Sequence, residues 1–252
     1  MIELKSPAEI ERMRRSGQIV AGLLGHLMPL IRPGVKTKAL DAEAQAYLSK
    51  AGARSAFLGY RGFPGAICVS INEEVVHGIP GERKIREGDL VSLDAGAVVE
   101  GWYADAAITM PVGTVSPLAR RLTDTTRRAL ERGIANAVVG NRLSDISHTV
   151  QETVERERFQ VVREFVGHGI GQALHEEPPI PNFGPPDTGP RLKVGMVLAI
   201  EPMVTAGRCD VEVLGDGWTA VTKDHSLAAH FEHTVAITDR GALVLTASEP
   251  TQ

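Results

Sequence analysis

The chain has 252 residues, of which 43% are hydrophobic, and its formal net charge is −4 with acids and bases interspersed. This length supports one globular domain with a large core, and the charge lacks the basic footprint expected of a nucleic-acid-binding protein. No segment approaches the roughly 18 apolar residues of a membrane span, and residues 1–10 lack the apolar core of a signal peptide. Two cysteines are too few for a disulfide framework, so we expect a cytoplasmic protein.

The first half of the chain predicts two helices followed by strands. Ser6-Pro7-Ala8-Glu9 is a capping box with proline at the first helical position, and Pro29 ends or kinks the helix that it starts. A second helix is predicted over about 38–51, where Gly52 ends it. Strands are predicted over 67–71 and across a hairpin at 90–111.

The second half predicts the same classes of element. Ser116-Pro117 opens a long helix running to Gly140, and a shorter helix covers about 143–156. Segment 176–192 is so rich in proline and glycine that we expect a rigid, irregular loop. The remaining apolar runs predict strands near 161–167, 194–205, 209–215, 218–223 and 229–238.

Helices set apart from antiparallel strands indicate an α+β fold. A long helix, a glycine turn, a short helix and strands occur twice, offset by about 106–110 residues. This pattern suggests that a single domain over 1–252 contains two related halves, at about 6–112 and 116–240. The identity between them is low, and any α+β domain can show such a coincidence.

Asp94 and Asp105 lie on two apolar runs joined by Glu100-Gly101. In a hairpin with a two-residue loop, Asp94 lies opposite Ala107 and Asp105 lies opposite Gly96, so the carboxylates become diagonal neighbours on one sheet face, about 7–8 Å apart at the backbone. Two like charges there repel and resist burial unless a proton or a cation lies between them. The hairpin therefore predicts a metal site.

Two more acids, Glu201 and Glu232, lie inside apolar strand sequence. His168 lies between glycines, and we expect a turn there that exposes the imidazole. Solvent exposure is an alternative for any single acid, but four such acids favour a shared site. Four carboxylates and one imidazole suit Mn, Fe or Co, with Zn possible. The four carboxylates carry a charge of −4. One divalent ion leaves a net charge of about −2, whereas two ions and a bridging hydroxide leave about −1, which favours two metals.

Other chemistry finds less support. His77 stands alone and His175 follows His168 by seven residues, which is not the helical spacing of zinc ligands, so each is as consistent with an ordinary surface or core residue. The sequence contains no dinucleotide-binding turn, phosphate-binding loop or GxSxG elbow. A Cys68–His77 thiol–imidazole pair has no orienting third group.

With these motifs in view, the chain resembles the type I methionine aminopeptidases over essentially its whole length. The resemblance implies the pita-bread α+β fold, an antiparallel sheet with helices on its outer face and a pseudo-two-fold repeat. Five positions match the metal ligands of that family in order and spacing: Asp94, Asp105, His168, Glu201 and Glu232. In this family Asp94 would bind one metal, His168 and Glu201 the other, and Asp105 and Glu232 would bridge them.

The resemblance also implies the substrate contacts. His77 and His175 match two histidines that contact the substrate backbone around the scissile bond. The methionine pocket would comprise Tyr60, Phe63, Cys68 and Trp218. Two positions depart from the family pattern. Leu174 stands where the family often has an aromatic residue. Ala228 stands where some members have a serine near a monovalent-cation site, so we do not carry that site over.

The implied activity is removal of the N-terminal methionine from nascent proteins and peptides, with a small second residue preferred. A hydroxide bridging two divalent cations would attack the carbonyl, and Glu201 would transfer the proton. The implied partners are nascent-chain N-termini and, transiently, the ribosome, for a monomeric enzyme.

Three rival hypotheses are a proline-specific peptidase of the same fold, a non-enzymatic binding protein, and a metal-independent creatinase-like hydrolase. The proline-specific enzymes usually carry an additional N-terminal domain, for which the stretch before Asp94 has no room. The presence of all five ligand positions argues against the other two.

Overall fold

The structure is a computed structural model that describes residues 1–248. Within that range the α-helices are α1 (Pro7–Leu27), α2 (Thr37–Lys50), α3 (Pro117–Ala135) and α4 (Leu143–Arg156). Two short 3-10 helices cover Met28–Leu30 and Tyr60–Gly62. The strands are β1 (Arg54–Ser55), β2 (Ile67–Ile71), β3 (Glu74–Val76), β4 (Leu90–Val99), β5 (Trp102–Pro111), β6 (Gln160–Val161), β7 (Gly167–Gly169), β8 (Glu176–Ile180), β9 (Val197–Ile200), β10 (Met203–Thr205), β11 (Val211–Val213), β12 (Ala220–Thr222), β13 (Ala228–His230), β14 (Glu232–Thr238) and β15 (Gly241–Val244).

Helix α1 begins and ends where the sequence predicts. The Ser6 hydroxyl accepts a hydrogen bond from the Glu9 amide, and the Glu9 carboxylate accepts one from the Ser6 amide at 2.7 Å. These two bonds satisfy amide groups that the first helical turn leaves without intrahelical partners. At the other end, Pro29 lies in the 3-10 turn that follows Leu27, so the predicted ending is confirmed.

Helix α3 is shorter than predicted, because it ends at Ala135 rather than at Gly140. Asn136 caps it, and the Asn136 side-chain amide donates to the Arg132 carbonyl at 3.0 Å. A side chain that binds the last free carbonyls competes with another helical turn. The residues that follow form a turn that leads to α4.

The irregular loop predicted over 176–192 is wrong at its start, where Glu176–Ile180 forms strand β8. This strand pairs with β7 at the end of the main sheet, and an edge strand tolerates prolines because its outward amides need no partner. The predicted strand at 161–167 is also two separate strands, β6 and β7, which belong to different sheets.

The main sheet has nine strands in the order β1-β4-β5-β14-β9-β7-β8, with β2 also paired to β4 and β15 also paired to β14. Two three-stranded sheets, β13-β10-β6 and β11-β12-β3, lie beside it. The strand pairs in residues 1–248 are antiparallel. The α+β class is therefore confirmed. The element order of the two halves, about 6–112 and 116–240, fits the proposed repeat, which stays a prediction.

One face of the sheet packs against helices. Alternate residues of β4, including Val91 and Leu93, join residues of β2, α1 and α2 in one apolar core cluster. A second cluster joins α3 and α4 to β9 and β14, with Leu130, Ile146 and Leu198 among its members. Because strand residues alternate between faces, the residues between these core positions point to the other side of the sheet.

Candidate active site

The β4–β5 hairpin has the predicted register. Asp94 lies opposite Ala107 and Asp105 lies opposite Gly96. The loop consists of Glu100 and Gly101, with φ values of 49° and 82°. Two positive φ values are typical of the tight turn that matches the twist of paired strands. The prediction that the two aspartates are diagonal neighbours on one face is confirmed.

The register of the neighbouring strands extends this face. Glu232 on β14 lies opposite Ala107 on β5, and His168 on β7 lies opposite Ala199 on β9. Glu201 follows Ala199 by two residues, just beyond the end of β9. Cross-strand partners share a face, and so do alternate residues of one strand. The register therefore places all four acids and the histidine on one face.

Their donor atoms converge. Asp105, His168 and Glu232 each place one donor atom within 4.8 Å of the other two. The Nε2 atom of His168 lies 3.5 Å from Asp105 Oδ2 and 3.5 Å from Glu201 Oε1. Asp94 lines the same cavity, and its buried Oδ1 atom has no hydrogen-bond partner.

His168 is held by its backbone setting. It lies on strand β7, where the sequence analysis expected a turn, and close strand packing rather than exposure explains its glycines. A Cβ atom on Gly167 would collide with the Ala199 carbonyl, and one on Gly169 with the Glu177 carbonyl. The His168 Nδ1 atom lies 2.9 Å from the Gly169 carbonyl oxygen. The proton therefore sits on Nδ1, which leaves Nε2 free to bind a cation.

Burial dominates the electrostatics of the four acids. It raises the pKa of Asp94 well above the ordinary value, and the Asp105 charge adds to the effect. Burial also raises the pKa of Asp105 to about 6, although a Thr234 hydrogen bond opposes the shift. For Glu201 and Glu232 the pKa is likewise raised well above the ordinary value, first by burial and then by the Asp105 charge. All four carboxylates are ionised together near neutrality only when cations compensate them.

His175 lies beside this cluster. Its ring centroid is 4.2 Å from that of His168, and its Nδ1 atom lies 2.8 Å from the Tyr60 hydroxyl. Burial lowers the pKa of His175 to about 4, and the neighbouring His168 adds to the shift. The imidazole is therefore neutral at pH 7, and it carries a single N–H.

His77 lines the same cavity in a backbone conformation that few non-glycine residues adopt, with φ of 61°. Its ring stands edge-on to Phe165 at 5.4 Å and to Trp218 at 6.2 Å between centroids. Burial lowers the pKa of His77 to about 4, and His175 adds to the shift. A positive φ held by packing at a cavity is typical of a functional position.

One cavity of about 190 Å³ joins these groups. It is lined by every site residue that the sequence analysis named, namely Tyr60, Phe63, Cys68, His77, Asp94, Asp105, His168, His175, Glu201, Trp218 and Glu232, and also by Leu174. At its apolar end, the rings of Phe63 and Trp218 meet edge to face at 5.1 Å. Cys68 lies opposite Asp94 in the sheet, and the cysteine is a free thiol.

Comparison with known proteins identifies the family. The family model for metallopeptidase family M24 matches residues 11–239. Methionine aminopeptidase 1 of Bacillus subtilis is 53% identical over 246 residues, which cover 98% of this chain and 99% of that protein. This chain belongs to the M24 metallopeptidases. The B. subtilis relative places it among the methionine aminopeptidases of the family, so the chain is a metal-dependent hydrolase.

Solved structures of M24 proteins share the fold. The crystal structure of the methionine aminopeptidase from Thermotoga maritima is 48% identical, has a TM-score of 0.97 and covers 98% of this chain and 100% of its own. The prolidase from Pyrococcus furiosus has a TM-score of 0.79 at 23% identity, with 98% of this chain and 66% of the prolidase covered. That second likeness concerns the fold alone. No helix within residues 1–248 is long and apolar enough to cross a membrane.

Three residues of this M24 site were missed by the sequence analysis. Phe57 and Arg61 line the cavity, and the Arg61 guanidinium lies 5.5 Å from the centre of the Tyr60 ring. The Thr234 hydroxyl donates to Asp105 Oδ1 at 2.9 Å. Thr234 follows Glu232 by two residues on β14, so the alternation of strand residues was a usable signal for it.

A buried ion pair beside His175 was also missed. The Lys5 ammonium, with a side chain only 4% exposed, donates to Glu176 at 2.6 Å. The other Glu176 oxygen accepts from the amides of Gln172 and Ala173 at 2.8 and 3.1 Å. Glu176 therefore fixes the loop that carries His175 to the N-terminal segment. These groups are 171 residues apart, and no local pattern connects them.

Proposed function

We propose that this chain removes the N-terminal methionine from peptides and nascent proteins whose second residue is small. Two divalent cations would be held by five residues, namely Asp94, Asp105, His168, Glu201 and Glu232. The observation that carries the proposal is that these five donors share one cavity with two neutral histidines and an apolar pocket. A metal centre, groups that bind a peptide bond and a side-chain pocket are what an exopeptidase needs.

The donor set fits cations. Asp105 and Glu232 are buried, and Asp94 and Glu201 are partly buried. All four carboxylates have raised pKa values, and the Asp94 Oδ1 atom lacks a hydrogen-bond partner. Two divalent ions balance four negative charges, whereas one ion leaves about half of them uncompensated. When bound, the cations supply Lewis-acid polarisation of the carbonyl and a water of lowered pKa. Oxygen donors with one imidazole accept Mn, Fe, Co or Zn, so the metal supply of the cell decides which is used.

Glu201 is the group that we assign to proton transfer. Its Oε1 atom faces His168, whereas its Oε2 atom lies away from that ring, 3.7 Å from His230. A carboxylate whose pKa is raised by burial can take a proton from the attacking water and pass it to the leaving amine. The proton goes to the amine nitrogen as the C–N bond breaks, so the leaving group departs as a neutral amine and not as an amide anion.

His175 and His77 would bind the substrate backbone. When the Tyr60 hydroxyl donates to His175 Nδ1, the only N–H of the neutral ring is on Nε2. That N–H can donate to the carbonyl oxygen as negative charge develops on it. His77, which lines the cavity and contacts the Phe165 and Trp218 rings edge-on, would contact the amide beyond the scissile bond.

The apolar end of the cavity would select methionine. Phe63, Cys68 and Trp218 line the cavity and would accommodate an unbranched thioether, and the aliphatic Leu174 side chain lines the same cavity. Such a pocket discriminates by about 1–3 kcal/mol for each methylene-sized difference. The selection of a small second residue would come from the limited volume of the same cavity.

The substrates in the cell would be the N-termini of nascent chains, which implies a cytoplasmic enzyme with transient ribosome contact. The monomeric state is part of the same proposal. Ribosome contact and the monomeric state do not depend on the geometry of the cavity. Sedimentation with ribosomes tests the first, and sedimentation of the pure protein tests the second.

A peptide comparison tests the function. Protein loaded with Mn²⁺ should cleave Met-Ala-Gly, while it should leave the N-acetylated form of that peptide intact, because the free amine would anchor the substrate beside Asp94. Ala-Pro peptides serve as the matched control for a proline-specific member of the fold. Faster cleavage of Ala-Pro than of Met-Ala-Gly, or efficient cleavage of the acetylated peptide, contradicts the proposal.

A further inference from the structure

His230 is a buried histidine that the mechanism above does not use. It ends strand β13, its exposed fraction is 2%, and its Nε2 atom has no hydrogen-bond partner. Buried polar atoms nearly always have partners, because an unpaired one costs about 1–3 kcal/mol. An exception at this position therefore asks for a physical reason.

The nearest charged group to His230 Nε2 is the carboxylate of Glu201, whose Oε2 atom lies 3.7 Å away. The other oxygen, Oε1, lies 3.5 Å from His168 Nε2. The two oxygens of Glu201 are thus divided between two histidines, one of which faces the proposed cations. A metal-binding carboxylate commonly uses its second oxygen for a hydrogen bond to a neighbouring group.

The backbone holds His230 in place. Its amide donates to the Thr109 hydroxyl at 2.8 Å, and that hydroxyl donates to the His230 carbonyl, also at 2.8 Å. His230 pairs with Met203 on β10, two residues after Glu201. The ring is therefore fixed against the segment that carries Glu201. His230 does not line the cavity, so a direct contact with substrate does not explain it.

The chemistry defines the hydrogen bond. An ionised carboxylate accepts and never donates, so only a proton on Nε2 makes this approach favourable. Closing the distance from 3.7 Å to a normal bond needs a movement of about 0.5–1 Å, which is within reach of a glutamate side chain drawn to a cation.

We propose that His230 is a positioning residue for Glu201: its Nε2–H donates to Oε2 and so presents Oε1 to the metal centre. The inference rests on the proposed function, because it assigns a metal-binding role to Glu201. His230 acts through that carboxylate and not on the substrate.

Two variants of the full-length protein test the proposal. His230→Leu removes the donor at similar size, whereas His230→Gln keeps an N–H donor. The matched control is His233→Leu, since His233 is a histidine on the next strand of the chain, β14, that contacts Thr246 at 2.8 Å and lies outside the cavity lining. Mn²⁺ affinity is measured by calorimetry on metal-free protein, and kcat and KM are measured on Met-Ala-Gly.

The leucine variant should lose about 10–100-fold in Mn²⁺ affinity and in kcat, with KM little changed, as is typical when a partner of a metal ligand is lost. The glutamine variant should recover most of both losses, and His233→Leu should show neither. Equal values for the leucine and glutamine variants, or unchanged Mn²⁺ affinity in a folded leucine variant, overturn the proposal.

If the leucine variant does not fold, a crystal structure of the unmodified enzyme with Mn²⁺ decides. A distance from His230 Nε2 to Glu201 Oε2 of at most about 3.2 Å supports the proposal, and one above about 3.5 Å overturns it. Failure of the proposed function looks different: the unmodified protein binds Mn²⁺ and does not cleave Met-Ala-Gly. The affinity comparison then still tests His230.

Discussion

The two faces of the β4–β5 hairpin perform opposite tasks. On one face, Val91, Leu93, Ala95 and Ala97 are buried among the side chains of α1, α2 and β2. On the other face, residues that alternate with them include Asp94, which lies opposite Ala107 and beside Cys68. One stretch of backbone therefore contributes to the apolar core and to a charged site at the same time.

The two faces differ in the sign of the free energy of burying their side chains. Burying apolar surface stabilises the fold by about 25 cal/mol per Å², whereas burying ionised carboxylates costs energy until cations bind. We infer that the core face supports the fold and that the site face destabilises the metal-free protein. A substitution on the core face should then lower stability and leave activity unchanged, whereas a substitution on the site face should lower activity and leave stability largely unchanged.

The largest expected effect is on the site face. His168→Ala should remove the only imidazole among the five proposed ligands and reduce hydrolysis of Met-Ala-Gly by more than about 100-fold, the upper range for loss of an outer partner. Its thermal midpoint in the absence of metal should change little. Activity equal to that of the unmodified protein would remove His168 from the ligand set.

On the core face, Leu93→Ala should act in the opposite way. The side chain is fully buried, and such truncations cost about 2–5 kcal/mol. Urea denaturation measures this loss, while kcat per folded molecule should stay unchanged. The matched control is Leu243→Ala, because that strand leucine is 43% exposed and should cost within about 0.5 kcal/mol. A large loss of kcat in folded Leu93→Ala would show that the two faces are coupled.

The contrast also explains what the sequence could predict. The Ser6–Glu9 cap and the Glu100–Gly101 turn are local, so the bounds of α1 and the register of the hairpin followed from neighbouring residues. Strand β8 was missed because prolines obscure it, and only its pairing with β7 defines it as a strand. Local signals predict elements whose partners are near in sequence.

The site divides in the same way. Asp94 and Asp105 were placed on one face by the hairpin register. Glu201, Glu232 and His168 were grouped with them because acids in apolar strands favour a shared site, whereas His77 and His175 were added by a family resemblance. Thr234 obeys the alternation of strand residues and was overlooked. The Lys5–Glu176 pair could not be found, because its members meet only after the main sheet and the N-terminal segment have packed together.

A third prediction tests the cost of the buried charges. In metal-free protein the pKa of folded Asp105 is about 6, above the ordinary value of 3.8. The charged form therefore destabilises the fold above about pH 6, and this cost disappears as pH falls through 6 towards 3.8. Asp105→Asn should stabilise metal-free protein at pH 7.5 and lose this advantage by about pH 4.

Chemical denaturation of both proteins at a series of pH values measures this difference, and buried histidines contribute equally to each. Saturating Mn²⁺ supplies the control, because a ligand at 100 times its Kd stabilises the unmodified protein by about 2.7 kcal/mol and should reverse the order of the two proteins. A pH-independent difference would show that folding does not shift the pKa of Asp105, and the proposed cost of its burial would be wrong.

The smallest expected effect lies at the edge of the core face, where the Ser6 cap begins α1. Ser6→Ala removes the hydroxyl that accepts from the Glu9 amide, and loss of such a cap costs about 1 kcal/mol. Because Ser6 is exposed and does not line the cavity, kcat and Mn²⁺ affinity should both stay at the values of the unmodified protein. Ser6→Asp, which restores an acceptor at the cap, should recover the stability measured in urea. A change in Mn²⁺ affinity would instead mean that the position of α1 reaches the site through the hairpin, and the two faces could no longer be treated as independent.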